Sequence, residues 1–156
     1  MPGISISMDT DPLTELASRT DQKILAVWAL FCAERVLPIF EDRYPDDPRP
    51  RDAVKAGRAW VRGEMRVGEV RKAAFSAHAA ARAAAGDLPA SFAARAAGHA
   101  AATAHTSGHA VHAAEYARKA VFPEQRGGER VWQYHRLVVL TRPPDAADGD
   151  LDPDTA

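Results

Sequence analysis

Five of the six histidines, His78, His99, His105, His109 and His112, fall in an alanine-dense stretch, residues 73–120. His105, His109 and His112 follow one another at i, i+4 and i+3, the spacing at which imidazoles on one helix face can converge on a metal ion. Ser107-Gly108 interrupts any helix that would join all three, and Glu115 is the only carboxylate at helical spacing with them. The spacing therefore predicts a polar cluster of His99, His109, His112 and Tyr116, hydrogen-bonded between alanine helices, rather than a resident metal. A second set, Arg51, Lys55, Arg58 and Arg62, recurs at i, i+4, i+7 and i+11. On a helix that is a basic stripe, the arrangement a phosphate backbone would meet. The single cysteine, Cys32, lies on an apolar stripe and reads as a small buried hydrophobe. No Gly-rich phosphate loop, nucleophile elbow or HExxH is present, so neither an enzyme nor a cofactor is expected.

Those residues need helices to position them. Alanine loses no side-chain entropy on becoming helical, and residues 73–120 are broken only at Gly86-Asp87-Leu88-Pro89 and Thr106-Ser107-Gly108. Upstream, Leu13 and Leu16 fit a short turn after Asp11-Pro12, and Thr20 is the expected N-cap of the next helix. In that helix Ile24, Leu25, Trp28, Phe31, Cys32 and Val36 form one apolar stripe. Pro38 should end or kink it, and Pro45, Pro48 and Pro50 should stop the chain before a helix from about Arg51 to Gly63. Further helices are expected over residues 67–85, 89–104 and 109–121, with Gly86 as a C-cap and a loop from Pro123 to Gly128. Residues 129–140 suit a last helix, although Leu137-Val138-Val139-Leu140 alone would equally suit a strand. The expectation is an all-α bundle of about six helices, with Trp28, Phe40, Trp60 and Phe75 filling the space that alanines leave.

The domain reading is a loose segment 1–19, a helical domain 20–142 and an acidic disordered tail 143–156. The net charge of −1 conceals an uneven distribution. Residues 1–48 hold nine acids and four bases, residues 49–142 seven acids and sixteen bases, and residues 143–156 five acids. Arginine outnumbers lysine four to one, which with the alanine content marks a composition bias rather than selection for phosphate. No apolar run is long enough to span a membrane and no leader is recognisable, so a cytoplasmic protein is expected.

The most specific part of the chain is its proline–arginine block. Residues 32–41 (CAERVLPIFE), 44–53 (YPDDPRPRDA) and 58–60 (RAW) resemble a bacterial family of immunity proteins, the Imm-five-like group of polymorphic toxin systems. Residues 77–82 (AHAAAR), 94–104 (ARAAGHAAATA) and 113–117 (AAEYA) agree with it. The resemblance covers about Asp21 to Leu140. It implies an all-helical, non-enzymatic protein that binds and neutralises a cognate toxin, and it singles out Glu34, Asp46, Asp47, Arg49, Arg51, Arg58 and Trp60. It carries no catalytic residue, metal ligand or cofactor. Two other classes stay open at this point, a nucleic-acid-binding module using Arg51, Lys55, Arg58 and Arg62 and a histidine-based metal-dependent enzyme. Nucleic acid is the less favoured partner, no membrane partner is expected, and a homo-oligomer is left open.

Glu34 and Arg35 stand on a helix otherwise committed to the core, which calls for partners. The candidates are Arg49, Arg51 and Arg58 for Glu34, and Asp46 and Asp47 for the same arginines. The preferred arrangement is a clasp in which Arg49 and Arg51 reach Glu34 and the Asp pair, joining two helices across the proline loop.

Overall fold

In the computed structural model, which describes residues 11–143, the chain forms seven α-helices and one short 3₁₀ turn. They are α1 (Pro12–Ser18), α2 (Gln22–Glu41), α3 (Arg49–Val61), α4 (Val67–Ala83), α5 (Leu88–Ala102), α6 (His109–Ala120), the 3₁₀ turn Pro123–Gln125 and α7 (Arg126–Thr141). No strand occurs among the described residues, so Leu137 to Leu140 are helical. The N-terminal ten residues and the acidic tail from residue 144 on lie outside the described residues.

α5 is the axis of the bundle and packs against α2, α3, α4 and α6. Its buried residues are eight alanines with Ser91 and Gly98, so every neighbour can come close. Gly57 shows how close: a Cβ there would stand 2.8 Å from Leu30 Cδ2 and 3.5 Å from the Ala101 backbone. Alanine contributes little apolar area for each residue buried, and α2 supplies the bulk. Trp28, Leu30, Leu37 and Phe40 are fully buried there. The Trp28 indole N–H donates to the Gln133 carbonyl at 2.8 Å, so its burial leaves no orphan donor. Gln133 in turn bonds Ala114 O at 3.0 Å and accepts from Arg118 at 2.7 Å, tying α6, α7 and α2 together.

Several local expectations are corrected. Asp21, not Thr20, caps α2, accepting from Lys23 N. Thr20 instead closes α1 by donating to Leu16 O at 2.7 Å. α2 runs through Pro38 to Glu41 without a break. The proline removes one hydrogen bond to the Glu34 carbonyl, and packing of Leu37 and Phe40 on either side holds the helical path. α3 begins at Arg49 with Pro50 in its first turn. It ends as expected at Gly63, whose φ of +76° is the left-handed value. Glu64 N reaches back to Ala59 O and Gly63 N to Trp60 O, both at 2.9 Å, a Schellman closure.

Gly86 is not a left-handed cap, because α4 closes through Ala84. The expected loop 123–128 shortens to one 3₁₀ turn, and Gly127 and Gly128 open α7. Residues 12–18, read as part of a loose segment, are helix, with Leu13 and Ala17 buried and an Asp11–Arg130 ion pair to α7. Phe75 does not fill the core; it is 60% exposed. Trp60 is only half-buried.

Candidate functional site

Three of the residues singled out in the proline–arginine block, Glu34, Arg51 and Arg58, line one cleft where α2 faces α3. The clasp exists with other partners than those preferred. Glu34 takes Arg58, both contacts at 2.8 Å, and Arg51 takes Glu41 at 2.9 and 2.5 Å. Arg51 does not reach Glu34. The reason is helical register: Arg51 is in the first turn of α3, beside the end of α2, whereas Arg58 lies two turns on, beside Glu34.

Asp47 accepts from Arg49 Nε and Nη2, at 2.9 and 2.7 Å, and from the Arg49 backbone N–H at 3.1 Å. The Arg49 guanidinium, bonded to it, holds the Asp47 carboxyl below the usual carboxylate range. Asp46 is exposed and Trp60 lies half-buried under Lys23, whose Nζ stands 6.0 Å from the ring.

The pairing continues onto α7. Arg35 forms a fork with the buried Glu129, at 2.6 and 3.1 Å, and stacks on Trp132 at 4.0 Å. Arg136 stands 4.9 and 5.3 Å from the ring centres of Phe31 and Trp132, and Arg58 stands 4.7 Å from that of Phe31. Guanidinium planes and rings thus alternate across α3, α2 and α7. A shallow cleft of about 220 Å³ opens beside them, lined by Glu34, Arg51, Val54, Lys55, Arg58 and Arg62. Within the basic stripe Arg51 and Arg58 are neutralised by carboxylates of α2, and Arg62 pairs with Glu64 at 3.0 Å. Only Lys55 of the four has no carboxylate partner among the described residues.

The second group of predicted residues also comes together. His99 is the centre, with its Nδ1 3.0 Å from His109 Nδ1. Tyr116 stacks on the His99 ring at 5.3 Å and 6°, and the His112 ring is 5.5 Å away. His78, which spacing did not assign to the cluster, meets His99 edge-on at 4.8 Å. It fits because α5 has a glycine beneath it: a Cβ on Gly98 would stand 2.7 Å from the His78 ring. His78 Nδ1 is buried with no hydrogen-bond partner. His105 lies exposed in the turn before α6 and takes no part.

The imidazoles are arranged as neighbours in a seam, not as a coordination sphere. Among the described residues no group of three or more His, Cys, Asp or Glu is placed to hold a metal. Burial first, and the neighbouring histidines second, hold His99 down to about 3, and burial likewise lowers His109 and His78. All three are neutral at pH 7. Cys32 is fully buried, and burial pushes its thiol well above the ordinary range, so it is no nucleophile.

Sequence reasoning missed Glu41 and Glu129 as ion-pair partners and His78 as a member of the seam. Glu41 carried a usable signal, because it is seven residues beyond Glu34 and shares its helix face. Glu129 carried none, since its partner Arg35 is 94 residues away, and His78 carried none, since its partner His99 lies on the next helix and helical spacing does not cross the turn between them.

A family model described as Imm-5 like putative immunity protein matches residues 15–139 of this chain. No curated protein and no solved structure matches it.

Proposed function

We propose that this chain, which belongs to the Imm-5 like immunity protein family, is a non-enzymatic cytoplasmic protein that binds a bacterial toxin and neutralises it by covering its working surface. The observation that carries the reading is the family match, which spans almost the whole helical bundle. The geometry supports it in one respect. Arginines held in two-point pairs and stacked on rings are already ordered, so a partner meets a stiff surface and little side-chain freedom is lost on binding. No helix among the described residues is long and apolar enough to cross a membrane, which suits a partner met in solution.

Where a neighbouring reading frame encodes a secreted, multidomain toxin, co-production with that toxin tests the reading. Restored growth, together with a stoichiometric complex of the two purified proteins, is the expected result. Growth arrest that co-production leaves unchanged would refute it. The nucleic-acid reading loses ground because Arg51 and Arg58 are occupied by Glu41 and Glu34. Binding to duplex DNA that weakens steeply and log-linearly with salt would restore it.

A further inference from the structure

We propose that the groove between the start of α5 and the end of α6 is a docking site for an apolar, acidic segment of a partner polypeptide. The proposal rests on the immunity reading only for the identity of that polypeptide. The groove encloses about 370 Å³, a volume in the range of sites that hold a few large side chains. Ile39, Phe92 and Val121, all half-buried, form its floor. Leu88 and Phe122 form its walls and are 59% and 68% exposed. Two large apolar side chains bare on either side of one depression are what a partner would cover.

The rim decides the chemistry of the occupant. Arg43, Lys119 and Arg126 line it. Arg43 shares the Asp87 carboxylate, but Lys119 and Arg126 have no carboxylate partner among the described residues. Arg126 donates to Lys119 O at 3.3 Å, and Lys119 Nζ lies 5.1 Å from the Tyr116 ring. Both cations are therefore held at the groove edge with their charge unanswered. An occupant that places large apolar side chains on Leu88 and Phe122 and carboxylates against Lys119 and Arg126 answers both features. The chain's own residues 144–156 supply acids but only one large apolar residue, Leu151. One such residue cannot cover both Leu88 and Phe122, so this tail is not the occupant proposed.

The test uses the full-length chain, immobilised, to select from a displayed peptide library. Enriched peptides should carry two or more large apolar residues together with Asp or Glu. A synthetic peptide of the enriched sequence, followed by fluorescence anisotropy, should bind Phe122→Asp at least about tenfold more weakly than wild type. Lys119→Glu should weaken it severalfold, more so at low salt. Phe122 is exposed, so circular dichroism of the variant should match wild type. No enrichment, enrichment without acids, or equal binding to Phe122→Asp would overturn the site. A wild-type dimer that Phe122→Asp dissolves, or a large gain in peptide affinity when residues 144–156 are removed, would also overturn it by naming another occupant. None of these results depends on toxin neutralisation, so failure here and failure of the immunity reading are distinguishable.

Discussion

The α2–α3 face and the α4–α5–α6 seam are held together by opposite means. On the face, long side chains reach across and choose their partners: Glu34 with Arg58, Glu41 with Arg51, Arg35 with Glu129 on α7. In the seam the side chains are small, the backbones approach, and the histidines occupy whatever room glycine and alanine leave. Directed charge tolerates some error in helix spacing, because an arginine can extend or fold. A seam of alanine, glycine and imidazole tolerates almost none, since interiors are close-packed and yield little. The two regions should therefore fail differently, under different insults.

The largest effect is expected in the seam. Gly98→Ala places a methyl 2.7 Å from the His78 ring, and that ring is confined by His99. Overpacking of this kind costs about 1–3 kcal/mol, read as a lower urea midpoint with unchanged slope. A stable Gly98→Ala protein would mean that His78 swings aside freely and that shape does not govern the seam.

Acid should separate the regions next. His99 has its pKa lowered to about 3 in the fold from an ordinary 6.5, so the unfolded chain takes up a proton that the folded chain refuses. Stability then falls as pH drops below about 6.5, and continues to fall toward the folded value. Geometry points the same way. Two Nδ1 atoms at 3.0 Å share one proton, and protonation of both rings would set N–H against N–H. On the face, Asp47 has a lowered pKa, and its contribution is lost only below the ordinary carboxylate range. Urea midpoints should thus decline between pH 7 and 5, and His99→Phe should flatten that decline. A wild-type midpoint constant over this interval would contradict the neutral seam.

The two regions were also unequally legible in the sequence. Helix existence followed from alanine density and apolar periodicity, and every expected helix is present. The path through Pro38 was not legible, because the tertiary burial that overrides a proline is invisible locally. In the seam His109, His112 and Tyr116 lie on one helix, where spacing carries a signal, whereas His99 and His78 each arrive on another helix, where spacing carries none. On the face Arg51 takes Glu41 rather than Glu34, and Asp46, also named for the clasp, is exposed. Arginine reaches several positions, so sequence fixes the set of pairs and register picks among them.

Double-mutant cycles sharpen that last point. Glu34 and Arg58 should couple by about 0.5–1.5 kcal/mol, above the median surface pair because the contact is two-pointed and half-buried. Glu34 and Arg51 should be additive to within about 0.3 kcal/mol. Strong Glu34–Arg51 coupling would restore the clasp first preferred and displace the pairing seen here.

The smallest effect on stability, and the one that bears most on recognition, belongs to Lys55 and Arg62. Both stand on the basic stripe, Lys55 exposed and without a carboxylate partner among the described residues, Arg62 paired only with the exposed Glu64. Charge reversal at either should leave the urea midpoint where it is, since such exposed charges contribute little to folding. If the face meets an acidic toxin, the same variants should slow association and reduce its salt dependence, while dissociation is unchanged, the behaviour of rim charges that steer an encounter. Phe122→Asp should do the reverse if the groove takes the partner's apolar segment, because loss of a buried anchor shows in the dissociation rate. Stopped-flow kinetics on Lys55→Glu and Phe122→Asp therefore assign steering to one region and retention to another. Equal rates for Lys55→Glu and wild type would leave the α2–α3 face as scaffold alone.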